Sequence, residues 1–266
     1  MIVRWNLTRS KEKIKNCDIL ILSVGKSGRT WLRVLLNKYI SLAFDVPFGL
    51  EDLRAHNKSI PSILFTHEMW NHINKASISQ KLFGKYVVPD SYLLTKKVVL
   101  LYRDPRDILV SLYFHKTKRS RKKIQMDLID FITDKRFGIK RIIQVLNVWR
   151  QRLEMHPACF WISYEDLKCD TINKLIELIQ FIGFDKIREN LAKQAVEFAE
   201  FDNMKKMEAA GEFENKILRP ADPSDPDSFK VRKGRVGGYK RYFSEERLDQ
   251  LESAVSGLAA FYGYRK

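Results

Sequence analysis

The stretch Ile21-Leu-Ser-Val-Gly-Lys-Ser-Gly-Arg-Thr-Trp-Leu32 decides how this chain is read. It opens at the end of an apolar run, Asp18-Ile-Leu-Ile-Leu22, that lacks polar alternation and so reads as a strand buried on both faces. After the loop, Leu32, Leu35, Leu36, Tyr39 and Ile40 recur at helical spacing, which predicts a helix starting at Thr30 or Trp31. The first backbone N–H groups of such a helix have no intrahelical partner, and the macrodipole adds positive potential there. Gly25 and Gly28 let the backbone close round an anion, Lys26 can reach it, and Ser27 and Thr30 can donate hydroxyls. An ordinary strand-to-helix turn carrying an exposed lysine would contain the same residues. A nucleoside-triphosphatase P-loop needs a glycine five places before Gly25, where Leu20 stands inside the strand. The loop is too short to wrap a triphosphate and suits a terminal or diester-like phosphate.

Outward from this junction the pattern repeats. Lys97–Tyr102 and Cys159–Tyr164 are further apolar runs, Ser62–Thr66 is a shorter one, and each leads through a turn into a helical pattern. Pro105 suits a first helical turn and is followed by Ile108, Leu109, Leu112 and Tyr113; Ile139–Met155, Thr171–Ile182 and Ser244–Leu258 read as helices, the last with Ser244 as its N-cap. Strands alternating with helices predict an α/β fold with a mainly parallel central sheet flanked by helices. Without repeats or low-complexity linkers, residues 1–266 read as one domain with its core over about 18–260. The run Arg219–Ser228, with three prolines and three aspartates, reads as lacking regular structure, within a flexible loop of about 219–231.

The 266 residues hold 48 Lys+Arg against 32 Asp+Glu, a formal charge of +16, with 45% hydrophobic and 12% aromatic residues. That much apolar material excludes disordered, collagenous and small disulfide-stapled classes. The charge favours an anionic partner: nucleic acid, a membrane surface, or a phosphorylated or sulfated ligand. Cys17, Cys159 and Cys169 are too few and too unevenly placed for a disulfide framework or zinc site and read as buried reduced thiols. Met1–Lys15 lacks the apolar core of a signal peptide and no apolar run approaches ~20 residues, so a cytoplasmic setting is expected.

Two further segments suit anions. In Tyr102-Arg-Asp-Pro-Arg-Asp-Ile-Leu-Val-Ser-Leu-Tyr113, Arg103 leaves a strand at its carboxyl end, where ligands sit in open α/β sheets, and Ser111 follows about two helical turns on. Together they suit a second phosphate, although Arg103 could instead pair with Asp104 or Asp107. Val231-Arg-Lys-Gly-Arg-Val-Gly-Gly-Tyr-Lys-Arg-Tyr-Phe243 has the composition of a clamp over a multiply charged ligand, or of a solvated loop. The run His115–Lys123 carries six Lys or Arg in nine residues and is either a solvated helix end or a site mouth attracting an anionic acceptor.

In this order and spacing, the three segments resemble the sulfotransferases that use 3′-phosphoadenosine 5′-phosphosulfate (PAPS), the family containing the cytosolic sulfotransferases. The phosphosulfate loop Pro-Lys-Ser-Gly-Thr-Thr-Trp stands here as Gly25-Lys26-Ser27-Gly28-Arg29-Thr30-Trp31. The arginine and serine of the 3′-phosphate motif stand as Arg103 and Ser111, and the late Arg-Lys-Gly-x-x-Gly as Arg232-Lys233-Gly234 with Gly237. The resemblance covers about residues 18 to 245.

The resemblance implies donor contacts from Lys26, Ser27, Gly28, Arg29, Thr30 and Trp31 to the 5′ side, and from Arg103, Ser111, Arg232, Lys233 and Gly234 to the 3′ side. It implies adenine packing by Trp31, Tyr164 and Phe201. His67, in Phe65-Thr66-His67-Glu68, matches the general base of the Lys-Thr-His motif, with Phe65 in place of the lysine and Glu68 as a competing base; His56, His72, His115 and His156 match no motif. Lys26 would stabilise the leaving phosphate, His67, Lys26 and Ser111 form the catalytic set, and no metal is implied. The expected reaction moves a sulfuryl group from PAPS to a hydroxyl or amine, with 3′,5′-adenosine bisphosphate (PAP) as product. Arg29 departs from the family's threonine, and the cytosolic dimer motif is only echoed by Lys240, Ser244, Glu245 and Asp249, which leaves the oligomeric state open. The alternatives are a nucleotide-dependent kinase of related topology, which would need magnesium, and a basic nucleic-acid-binding module. Acceptor-facing residues are expected within Phe44–Asn57 and His67–Pro89.

Overall fold

Four short strands, β1 (Ile19–Ser23), β2 (Ile63–Thr66), β3 (Lys97–Tyr102) and β4 (Cys159–Ser163), pair in the order β2-β1-β3-β4, and every pairing is parallel. The computed structural model describes residues 11–82, 86–212 and 217–265. A parallel sheet needs cover on both faces, and the alternation along the strands divides the apolar side chains accordingly. Leu20, Leu22, Val98 and Leu100 face one layer, with Ile108, Ile142, Leu146, Trp149 and Leu251. Ile19, Ile21, Val99, Leu101 and Ile162 face the other, with Leu32, Leu35, Leu36, Leu175 and Ile179. The first layer is built from α3 (Pro105–Phe114), α4 (Ile139–Leu153) and α7 (Glu245–Val255); the second from α1 (Arg29–Phe44) and α6 (Thr171–Ile182). Two short helices follow strand ends, α2 (Glu68–Lys75) after β2 and α5 (Tyr164–Cys169) after β4.

Strand β1 is paired on both edges, with β2 and β3, and all five of its residues are buried. Connections leave it towards β2 on one side and reach β3 on the other, so the strand order reverses at the β1/β3 boundary. In open α/β sheets that reversal opens a crevice at the carboxyl ends of the strands.

Several sequence expectations are refined. Helix α1 begins at Arg29, one residue earlier than read, because Gly28 at φ 92° turns the chain into it. Ser244 occupies the N-cap of α7, but its side chain makes no capping hydrogen bond. Helix α4 stops at Leu153, two residues short. The Pro/Asp stretch closes a 3-10 turn at Pro226–Ser228, where Asp225 caps the Asp227 N–H and the buried Ser228 hydroxyl donates to the Asp222 carbonyl. Of the thiols read as buried, Cys17 is buried, Cys159 is half-buried and Cys169 is exposed. Among the described residues no helix is long and apolar enough to cross a membrane; residues 1–10, on which part of the leader argument rests, lie outside the description.

Candidate active site

Each strand hands the chain to a candidate site residue at its carboxyl end. Lys26 follows β1 by three residues, and His67, Arg103 and Tyr164 directly follow β2, β3 and β4. All four line one cavity of about 730 Å³. Its wall also takes in Gly28, Arg29, Thr30, Trp31, Ser111, Phe201, Arg232, Lys233 and Gly234, so residues nearly 210 positions apart in the chain meet there. Among the expected residues Ser27 alone is not in the wall. It is fully buried beneath the loop, and its Oγ has no hydrogen-bond partner among the described residues.

The loop is held in a conformation that needs its glycine. At Gly28, with φ +92°, a Cβ would lie 2.5 Å from the Tyr164 ring, so a side chain is excluded both by backbone strain and by close approach. Lys26 also adopts positive φ, at 78°. The Tyr164 ring meets Trp31 edge-on at 5.6 Å, and the Arg103 guanidinium lies 4.1 Å over it. The Trp31 indole is fixed by its Nε1–H, which donates to the Ala199 carbonyl at 3.0 Å. Gly234, at φ +56°, makes the same kind of approach to Phe201, whose ring a Cβ would meet at 2.7 Å.

Arg103 faces the cavity while it is tied from behind. It pairs with Asp107 one turn along α3, at 3.3 Å, and donates to the carbonyls of Arg235 at 2.8 Å and Lys26 at 3.4 Å. The alternative of an Arg103–Asp107 pair is therefore realised, and it orients the guanidinium rather than removing it. Asp107 further accepts from the Gly237 and Tyr239 N–H groups, which pins the late glycine-rich segment onto α3. Arg232 donates to the Tyr242 hydroxyl at 2.7 Å and to Asp227 at 3.3 Å.

At the second strand end, His67 Nδ1 lies 2.8 Å from the Ser23 carbonyl and 3.0 Å from the Ser23 hydroxyl. A carbonyl can only accept, so in the neutral ring Nδ1 carries the proton and Nε2 the lone pair. Glu68 is turned away: it is buried outside the cavity wall and accepts from the Thr66 hydroxyl at 3.1 Å. Phe65, in place of the resembled family's lysine, packs in the α1 layer with the Arg33 guanidinium 4.4 Å over its ring.

The electrostatics are one-sided. Burial, then the charges of Arg119, Arg103 and Arg232 acting against the opposing pull of Glu208, push the Lys26 ammonium down to about 7. Burial and Arg33 also disfavour the charge on Arg29, and Lys230 is displaced far below its ordinary value by burial, Arg119 and Lys26. Buried cations short of counter-charge form a site that an anion completes.

Arg119, Lys230 and His115 also line this cavity and were not singled out as site residues in the sequence. The basic run 115–123 includes Arg119 without distinguishing it from its neighbours; Lys230 and His115 belong to no motif. Of the segments expected to face the acceptor, His67–Pro89 contributes Trp70 and Asn71, whereas Phe44–Asn57 contributes nothing to this wall and instead borders a second cavity behind β2. Residues 83–85 lie outside the description. Among the described residues no group of three or more His, Cys, Asp or Glu is placed to hold a metal ion.

Residues 16–260 match the model of the sulfotransferase domain. The chain belongs to the sulfotransferase family. It is 23% identical to a flavonol 4′-sulfotransferase of Flaveria chlorifolia, over 94% of this chain and 81% of that one, and 24% identical to cytosolic sulfotransferase 16 of Arabidopsis thaliana, over 90% and 75%. The sulfotransferase fold is matched by retinol dehydratase in complex with androsterone and the inactive cofactor PAP, with TM-score 0.62, 20% identity and 95% and 84% coverage. A mouse sulfotransferase complexed with PAP matches with TM-score 0.62, 18% identity and 94% and 90% coverage. The chain is thus a sulfotransferase enzyme, and the PAP in both neighbours agrees with the PAPS donor implied by its motifs.

Proposed function

We propose that this sulfotransferase binds PAPS with the residues its motifs single out and passes the sulfuryl group to a hydroxyl or amine, with His67 as the general base. The observation that carries this is the convergence of all three anion-suited segments on one cavity at the carboxyl ends of the strands. The residues present fit such a donor. The cationic cluster is short of counter-charge, the Ser27 hydroxyl is buried without a partner among the described residues, and Gly28 leaves the backbone open where a Cβ would close it against Tyr164. Lys26, Ser27, Gly28, Arg29 and Thr30 would hold the 5′ side, and Arg103, Ser111, Arg232, Lys233 and Gly234 the 3′-phosphate. Trp31, Tyr164 and Phe201 would hold the base.

When bound, PAPS supplies an activated sulfuryl group with a phosphate leaving group. Lys26 and the N-terminal amides of α1 stabilise negative charge on that phosphate. His67, its Nδ1–H held by Ser23, presents Nε2 to accept the proton of the attacking hydroxyl or amine. Arg103 and Ser111 anchor and orient the donor without touching the reacting centre. The members of the family named as cytosolic, together with the lack of a membrane-spanning helix among the described residues, support a cytoplasmic enzyme.

The test is ligand-dependent stabilisation. At a concentration of 100 times Kd, PAP raises stability by about 2.7 kcal/mol and the melting temperature by several degrees, while magnesium-ATP does so much less. Equal shifts with adenosine 5′-phosphate overturn the dedicated 3′-phosphate site, and a larger shift with magnesium-ATP favours the kinase alternative.

A further inference from the structure

Eleven lysine and arginine side chains line the active-site cavity against a single carboxylate, Asp107. Asp107 is already engaged by Arg103 and by the N–H groups of Gly237 and Tyr239. The donor, with a phosphosulfate and a 3′-phosphate, is met by five of the cations: Lys26, Arg29, Arg103, Arg232 and Lys233. Six are left: Arg235 lies within the Arg-Lys-Gly-x-x-Gly motif, Lys168 stands 5.4 Å over the Trp31 ring, and the other four, Lys116, Arg119, Lys230 and Arg241, are residues of no donor motif.

For Arg119 and Lys230 the local partners offset little of the charge. Arg119 donates to the Arg219 carbonyl at 2.6 Å and lies 3.9 Å from Glu208. Glu208 is completely buried, and its two oxygens already accept the N–H groups of Lys230 at 2.6 Å and Val231 at 2.7 Å. The Lys230 ammonium donates to the Ile217 carbonyl at 2.7 Å. Lys116 lies 4.0 Å over the Phe137 ring. The single buried carboxylate Glu208 therefore serves Arg119 and also acts on Lys26, in a wall where each added positive charge raises the cost of the others.

His115 sits among them. Burial and the charges of Lys26, Arg119 and Lys116 hold its ring neutral, and its buried Nδ1 has no hydrogen-bond partner among the described residues. A neutral hydrogen-bonding ring between cations suits a polar ligand better than a hydrocarbon one.

From these groups we infer that the acceptor is anionic: a hydroxyl or amine compound that also carries a phosphate, sulfate or carboxylate group, bound by Arg119, Lys230, Lys116 and Arg241 while His115 hydrogen-bonds a neutral part of it. The Arg119 guanidinium offers a planar fork suited to two oxygens of one oxyanion, and Lys230 adds a point charge. A flat neutral acceptor would leave the deeply placed Arg119 and Lys230 desolvated without added counter-charge. The inference rests on the sulfotransferase assignment made above.

The test uses the full chain saturated with PAP, titrated by calorimetry with N-acetylglucosamine 6-phosphate, galacturonic acid and, as the neutral reference, N-acetylglucosamine. The phosphate and carboxylate arms distinguish which oxyanion is preferred. At least one charged sugar is expected to bind tenfold or more tightly than the neutral sugar. In K116A/R241A that preference falls to within threefold, with PAP affinity held within twofold. Arg119→Gln gives the same loss from the inner end of the cavity. Equal binding of charged and neutral sugars overturns the inference, as does a preference that survives both variants. If PAP itself fails to stabilise the wild-type protein, the donor assignment falls and the inference with it; if PAP binds and the charged sugars show no advantage, the inference alone falls.

Discussion

His67 Nδ1 lies 2.8 Å from the carbonyl oxygen of Ser23, the last residue of the strand that feeds the phosphate-binding loop. The candidate base is thereby locked to the same backbone that aims Lys26. The two groups expected to act on opposite ends of the transferred sulfuryl share one rigid support, and a shift of either strand end moves both.

His67→Ala is expected to lower turnover by roughly 10²- to 10⁴-fold while leaving PAP affinity nearly unchanged, the usual scale for loss of a general base. Glu68→Gln removes a carboxylate that faces the Thr66 hydroxyl rather than the cavity, and is expected to stay within about tenfold of wild type. Steady-state rates against a confirmed acceptor check both. A dead Glu68→Gln beside an active His67→Ala transfers the base role to Glu68.

Gly28→Ala is expected to cost stability and donor binding together. The left-handed backbone alone costs a non-glycine residue about 1–2 kcal/mol, and the new Cβ forces the Tyr164 ring from its place at 2.5 Å. Thermal melts with and without PAP measure the two losses. Adding Tyr164→Ala removes the clash and leaves the backbone strain, so the double variant recovers part of the stability and none of the donor affinity. Full recovery of both refutes the strain argument.

Arg103→Ala should weaken PAP binding roughly ten- to a hundredfold, the scale of a charge-assisted hydrogen bond of about 1.5–3 kcal/mol. The saturated rate should change little, because the 3′-phosphate does not react. Asp107→Asn is expected to weaken PAP binding less, since Arg103 keeps the Arg235 carbonyl at 2.8 Å. Donor KM and kcat, measured separately, distinguish this role from a structural one, in which melting temperature falls and donor KM stays within twofold.

Lys26 carries a pH signature. Its ammonium is pushed down to about 7 from an ordinary 10.5, so between those values the unfolded chain holds a proton that the folded, ligand-free protein lacks. Stability from this group therefore rises with pH across that window and falls as pH drops towards 7. Bound PAP restores favourable surroundings for the charge, so complex formation at pH 8–9 takes up protons and PAP affinity falls as pH rises above about 7. Calorimetry in buffers of different ionisation enthalpy counts the protons. Lys230 acts in the same sense, so Lys26→Met should reduce the uptake without abolishing it; unchanged uptake in that variant rules out Lys26 as the proton acceptor.

The local sequence was sufficient wherever a short-range rule governs. Apolar runs without alternation placed four parallel strands to within a residue or two, and the registers follow because both faces are buried. Loop chemistry marked Lys26 and Gly28, and a helical spacing joined Arg103 to Ser111. The choice between His67 and Glu68 was not legible, because one strand end offers both and only the packing of β2 against β1 turns His67 onto Ser23 while Glu68 meets Thr66. Nor was the part of Lys230 and His115, which belong to no spacing pattern and become functional candidates only when distant segments bring their charges within a few ångströms in a medium that screens them poorly. The half-burial of Cys159 and the exposure of Cys169 escape the sequence for a related reason: burial is a property of the neighbours a residue acquires. Strands, anion-binding loop and family motifs are legible in the chain because they rest on patterns within a dozen residues; which of His67 and Glu68 faces the cavity, and how much positive charge gathers in its wall, emerge only in the folded molecule, because they depend on long-range packing and on electrostatic fields that add across the whole fold.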